Sequence, residues 1–128
     1  MVGLVVVSHS EKAAEGICEI AAQMGGDDAR IEAAGGDPDG EIGTSVDRIE
    51  AAIDDADDGD GVVVLVDLGS AVMNTELAVE MGDANVRIAD APILEGALNA
   101  AVEASGSKAT LDSVAESAEE ARDYRKLN

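Results

Sequence analysis

The chain holds one histidine, His9, set between two serines at the end of a wholly apolar run, Leu4 to Ser10. A neutral imidazole can attack phosphorus through one ring nitrogen when the proton on the other is held, and a carboxylate is the usual holder. A second apolar run, Val62 to Val66, leads into Asp67, Gly69, Ser70 and Ala71. Asp67 is the candidate partner: it would fix the ring tautomer and stabilise the positive ring formed as a bond to phosphorus is made, as aspartate orients histidine in hydrolase triads. Ser8 and Glu11 have the S-x-x-E spacing of a capping box, which predicts that His9 lies in the first turn of a helix. A helix N-terminus there would favour the unprotonated ring and offer N–H groups to phosphoryl oxygens. The amides of Gly69, Ser70 and Ala71 would supply a second set, and Ser10, Thr44 and Ser70 are hydroxyl-bearing candidates for phosphate contact or for helix capping. From residue types alone, a capped helix start with an incidental histidine accounts for His9 equally well.

The elements that must position these groups read as alternating strands and helices. Gly3 to Val7 is β-branched and apolar on both faces, as a parallel strand covered by helices must be. Ala14, Ile17, Cys18, Ala21 and Met24 form a helical stripe that stops at Gly25 and Gly26, with Cys18 a packing residue. Ala29 to Ala34 alternates with Arg30 and Glu32, which suits an edge strand. The glycine-rich loop Gly35 to Thr44 is longer than an ordinary connection, a length that hints at function. A helix follows with Val46, Ile49 and Ile53, then the central strand Val62 to Val66. The next helix starts near Ser70, where Met73, Leu77 and Met81 are expected as core contacts, and it ends at Gly82. Asn85 to Ile88 is a fourth strand. A helix with Leu94, Ala97, Leu98, Ala101 and Val102 on one face comes next, and a last helix spans Leu111 to Tyr124, closed by basic Arg122, Arg125 and Lys126.

This order predicts an α/β fold: an open, mainly parallel four-stranded sheet, order 2-1-3-4, with helices on both faces and one domain spanning 1–128. Ligands of such sheets bind beyond the carboxyl ends of strands where the order reverses, and His9 and Asp67 both fall there.

Composition narrows the function classes. Net charge is −20, from 8 Lys plus Arg against 28 Asp plus Glu, which argues against nucleic acid as a partner. With no Phe or Trp and only Tyr124, base stacking is also unavailable. The acids are spread between apolar segments, which points to a halophilic surface and not to an acidic tail. Asp54 to Gly61, DDADDGDG, fails as a calcium loop because Ala56 and Leu65 fall where oxygen ligands are needed. The single Cys18 allows no intrachain disulfide, no run approaches the length of a membrane span, and neither leader nor cleavage pattern is seen, so a cytoplasmic location is expected.

The segments VVVSHSEKAAEGICEIAAQM, IEAAGGDPDGEIGTSVDRIEAAI, GVVVLVDLGSAVMNTELAVE and IADAPILEGALNAAVEA cover nearly the whole chain. Together they resemble the phosphotransfer subunits of phosphoenolpyruvate-dependent dihydroxyacetone kinases, whose domain is similar in fold to mannose-type IIA proteins. The resemblance implies a homodimer and phosphorylation of the histidine of the SHS motif, His9 here; no cofactor or metal is expected, because the amide donors can stand in for one. It also implies a phosphate route from phosphoenolpyruvate through enzyme I and the phosphocarrier protein HPr to this histidine, then to ADP bound on the dihydroxyacetone kinase subunits. Some relatives carry fused HPr-like and enzyme I-like segments; at 128 residues this chain is expected to use separate carriers.

Three other readings compete. A IIA component of a mannose-type sugar transporter would use the same histidine with a IIB acceptor, but the DLGSAVMN segment favours the kinase branch. A receiver-like module phosphorylated on Asp67 would need an acidic magnesium pocket at the first strand end, where Ser8, His9 and Ser10 stand. A non-catalytic binding module would work through Gly35 to Thr44.

A halophilic surface predicts that the thermal midpoint followed by circular dichroism rises from low to multimolar salt, as repulsion among the acids is screened. Equal midpoints would refute it.

Overall fold

The structure, a computed structural model, describes residues 1–26 and 28–127. Four parallel strands, β1 (Gly3–Ser8), β2 (Ile31–Gly35), β3 (Val62–Val66) and β4 (Val86–Ile88), form a sheet in the expected order β2-β1-β3-β4. The helices are α1 (Glu11–Gly25), α2 (Val46–Ala56), α3 (Gly69–Met81), α4 (Ile93–Ala104) and α5 (Leu111–Glu119), followed by a 3-10 turn (Glu120–Asp123). Among the described residues, no helix is long and apolar enough to cross a membrane.

Successive strand side chains point to opposite faces, so the apolar runs of β1 and β3 build two cores at once. Leu4, Val6, Val63 and Leu65 pack with α1, α4 and α5; Val5, Val7, Val62 and Val64 pack with α2 and α3. Both central strands are buried along their length, except for partial exposure of Val66 at the site end. Half-buried Cys18 packs against the first core, and burial, with Glu32 and Glu15 nearby, pushes its thiol up to about 12.

Small residues face the sheet on nearly every helix. α4 buries Gly96, Ala97, Ala100, Ala101 and Ala104, and α5 buries Val114, Ala115 and Ala118. This corrects the expectation for α3, whose buried face is Ala71, Thr75 and Ala78 while Met73 (66% exposed), Leu77 and Met81 point outward. Apolar on nearly all sides, α3 presents its short side chains to the sheet and leaves the long ones out. Met24 and Val102 are likewise exposed rather than core. The final helix is also shorter than its periodicity suggests: the α-helical part ends at Glu119, and Arg122 Nε donates to the Glu119 carbonyl at 3.2 Å. Lys126 pairs with Glu95 at 3.0 Å. The rejected calcium segment forms a turn whose Asp58 and Asp60 hold the N-terminal ammonium.

The corner where β1 meets α1 is tightly built. In register, Ser8 pairs with Gly35, and Gly36 N–H donates to the Ser8 carbonyl at 3.2 Å. Arg48 of α2 donates to the Gly35 carbonyl at 3.1 Å and reaches Glu11 at 3.4 Å, tying two helices to the end of β2. A Cβ on Gly35 would lie 2.5 Å from the Ser10 carbonyl oxygen and 2.7 Å from the Glu11 Cα, both backbone atoms that cannot swing aside. Gly35→Ala should therefore lower stability by about 1–3 kcal/mol, read as a shifted urea midpoint. An unchanged midpoint would show that the corner opens without cost.

Candidate functional site

The parallel register sets Val7 beside Val66, so the next residues of each strand, Ser8 and Asp67, meet just past the end of the sheet. Asp67 N–H donates to the Val7 carbonyl at 3.2 Å. Its carboxylate then takes four donors: the Ser8 hydroxyl at 2.9 Å and His9 N–H at 3.0 Å on Oδ2, and His9 Nδ1 at 2.9 Å and Leu68 N–H at 2.7 Å on Oδ1. Burial pushes the Asp67 carboxyl up, but these hydrogen bonds outweigh it and hold the group below its ordinary value. An ionised carboxylate only accepts, so Nδ1 carries the proton and Nε2 is left with its lone pair.

Nε2 faces Ser70, whose Oγ lies 2.6 Å away. Ser70 is exposed at the start of α3 and lies 3.5 Å from Thr44 Oγ1, which in turn accepts from Asn74 Nδ2 at 2.5 Å. Among the sequence candidates, His9, Asp67, Ser70 and Thr44 thus form one connected group. Asn74 belongs with them and was missed, although it lies one helical turn after Ser70 on the same face, a spacing that could have found it.

Three expectations about the corner are revised. α1 starts at Glu11 with Ser10 as its N-cap, so His9 precedes the helix instead of lying in its first turn. Ser8 is not the cap: its hydroxyl donates to Asp67 and accepts from Ser10 N–H at 3.1 Å, because the nearby carboxylate offers a stronger partner than a helix amide. The ring's two nitrogens are instead engaged by Asp67 and Ser70. Ser10 Oγ accepts from Ala13 N–H at 3.1 Å and is engaged as a cap. Finally, Ala71 N–H donates to the Leu68 carbonyl at 3.0 Å and Ala71 is fully buried, which removes it from the amide donors. Leu68 caps α3 without a side-chain oxygen, so the donor pair left at that exposed end is Gly69 and Ser70.

The glycine-rich loop closes over the corner through Gly43 N–H, which donates to the His9 carbonyl at 2.9 Å. Asp37 Oδ1 receives the N–H groups of Asp39 and Glu41 at 2.9 Å each, which shapes the loop. Around the polar centre stand two exposed apolar side chains, Ile42 from the loop and Leu68 at the start of α3.

A family model described as EIIA-man, PTS system fructose IIA component, matches residues 3–115. The chain belongs to the EIIA-man family. Within it, the chain is 42% identical over 121 residues to the phosphoryl donor subunit DhaM of the PEP-dependent dihydroxyacetone kinase of Escherichia coli (strain K12), a match covering 89% of this chain and 25% of that protein. It thus spans about a quarter of that relative's length. It is also 37% identical over 107 residues to the DhaM subunit of PEP-dependent dihydroxyacetone kinase 2 of Listeria innocua, covering 80% of this chain and 86% of that one. The EIIA-man fold recurs in the crystal structure of EF1359, a protein of unknown function (TM-score 0.84, 31% identity, 99% of this chain and 98% of that chain). It recurs again in the phosphotransferase system component EIIA of Streptococcus agalactiae, with a TM-score of 0.68 and 18% identity over 94% of this chain and 92% of that one.

The depressed Asp67 value has a signed consequence. Its stabilisation is fully present above the unfolded carboxylate value of about 3.9 and is lost as pH falls through the lower folded value. Asp67→Asn sets an amide among four donors, so it should cost about 1–3 kcal/mol near pH 7, with the deficit to wild type shrinking in acid below about pH 4. Urea unfolding at the two pH values checks this; a deficit that stays constant would remove Asp67 as the source.

Proposed function

We propose that this chain is the phosphoryl-donor module of a phosphoenolpyruvate-dependent dihydroxyacetone kinase, relaying phosphate through His9 in the cytoplasm. Residues 1–128 act as one mannose-type IIA domain. The observation that carries the reading is the 2.9 Å pairing of His9 Nδ1 with Asp67, which leaves Nε2 as the only basic ring nitrogen, turned toward the exposed start of α3. The names of the Escherichia coli and Listeria innocua relatives supply the chemical setting.

In the accepting step the Nε2 lone pair forms a bond to the phosphorus of phosphorylated HPr, and the phosphorus–nitrogen bond of the donor breaks, its electron pair returning to the HPr ring. The His9 ring keeps its Nδ1 proton throughout, and Asp67 offsets the positive charge that the ring acquires. In the donating step a terminal oxygen of ADP on the kinase subunits attacks the same phosphorus, and the Nε2 bond breaks to restore neutral His9. Ser70, Thr44 and the Gly69 and Ser70 amides are placed to donate to phosphoryl oxygens, so alignment and hydrogen bonding supply what a metal would supply elsewhere. The exposed apolar ridge of Met73, Leu77 and Met81 on α3, flanked by exposed Glu76 and Glu80, supports pairing into a homodimer, since covering those side chains removes apolar surface from water.

Incubation with phosphoenolpyruvate, enzyme I and HPr should place an acid-labile, base-stable phosphate on His9, absent in His9→Ala and formed at least tenfold more slowly in Asp67→Asn, on the order of a general-base contribution. Light scattering on the same samples should give the mass of two chains. Adding ADP-loaded kinase subunits should discharge the label into ATP. Discharge to a sugar-transporter IIB subunit instead would select the transport branch, and an acid-stable or Asp67-linked phosphate would overturn the histidine relay.

A further inference from the structure

The hydrogen-bond chain behind Nε2 has a direction. Its far end is the Asn74 Nδ2 amide, which only donates, and its near end, through the ring, is the Asp67 carboxylate, which only accepts. Between them stand groups able to do either: the Thr44 hydroxyl, the Ser70 hydroxyl and the imidazole. Because Thr44 Oγ1 receives a proton from Asn74, its own proton is free to point at Ser70 Oγ. Ser70, receiving there, points its proton at Nε2. Every link from Asn74 to Asp67 is then polarised the same way.

We propose that half-buried Asn74, acting through Thr44 and Ser70, is a positioning residue that fixes the direction of the Ser70 hydroxyl and so keeps Nε2 bare in the tautomer that Asp67 sets. The inference deepens the phosphohistidine reading and rests on it for its catalytic meaning, although the tautomer itself can be read without any phosphoryl transfer. An outward-pointing Ser70 O–H serves both states of the site. Before transfer it marks Nε2 as the bare nitrogen. Phosphorus entering along the Nε2 lone pair displaces that O–H, which loses its acceptor and turns to a phosphoryl oxygen beside it. Thr44 and the second Asn74 N–H lie behind it. Replacing Asn74 by a residue that accepts at the same place would reverse the chain: Thr44 would donate to it, Ser70 would donate to Thr44, and Ser70 would turn a lone pair toward Nε2, which favours a proton there.

His9 is the only histidine, so long-range nitrogen–proton correlation spectra report its ring without assignment. The wild type should show a protonated Nδ1 and a bare Nε2. Asn74→Asp should raise the midpoint at which Nε2 gains its proton by on the order of one pH unit and slow phosphoryl acceptance roughly tenfold to a hundredfold. A new carboxylate would also act through space, so the deciding comparison is Asn74→Asp in a Thr44→Val background, where the relay is cut but the charge remains. A midpoint shift that disappears with Thr44→Val supports the relay; a shift of equal size in both backgrounds overturns it. Thr44→Val alone, which keeps the shape of the side chain, should slow acceptance about tenfold, and an unchanged rate also overturns it. If the Thr44-dependent midpoint shift is seen while no label reaches His9, the positioning role stands and the phosphotransfer reading falls.

Discussion

One carboxylate holds the site together. Asp67 receives the Ser8 hydroxyl, the His9 backbone and ring, and the Leu68 N–H, so each of its acceptor directions is used by a different piece of the corner. Two of those donors come from backbone, which means the same group that orients the imidazole also clamps the end of β1 to the end of β3. The clamp works only in one register, with Val7 beside Val66. Chemistry and sheet pairing are thus set by the same interaction, and neither can be adjusted alone.

Much of this was legible in the residues and some was not. The parallel sheet and its order followed from two apolar runs, a weak second strand and intervening helical periodicity, and the pairing of His9 with Asp67 followed from their matched positions at two strand ends. Local capping rules failed at Ser8 because a tertiary partner, the Asp67 carboxylate, outbids a helix amide for its hydroxyl. The orientation of α3 failed for a different reason: with apolar side chains nearly all round, its pattern does not say which face is buried. Close approach to a valine sheet selects Ala71, Thr75 and Ala78, a steric preference that hydropathy does not encode. Asn74 was passed over because its partner, Thr44, lies 30 residues away on a loop.

The acidic surface and the site divide the molecule. Acids are distributed over the helices and turns, while the surroundings of His9 also offer Ile42 and Leu68, both exposed and apolar. In concentrated salt, long-range attraction between proteins is largely screened. Recognition then falls to contacts made at short range, and an apolar rim around a polar centre is suited to that regime.

The inverted packing of α3 separates two demands that usually compete. Alanines and a threonine carry the helix against the sheet, whereas the methionines and leucine that could meet another protein contribute little to the fold. Residues on that outer ridge can therefore drift under selection for new partners while the core and the His9 corner stay unchanged. α3 begins at Gly69, beside the histidine, so the outer surface next to the His9 corner can change its chemistry without disturbing the corner's own geometry.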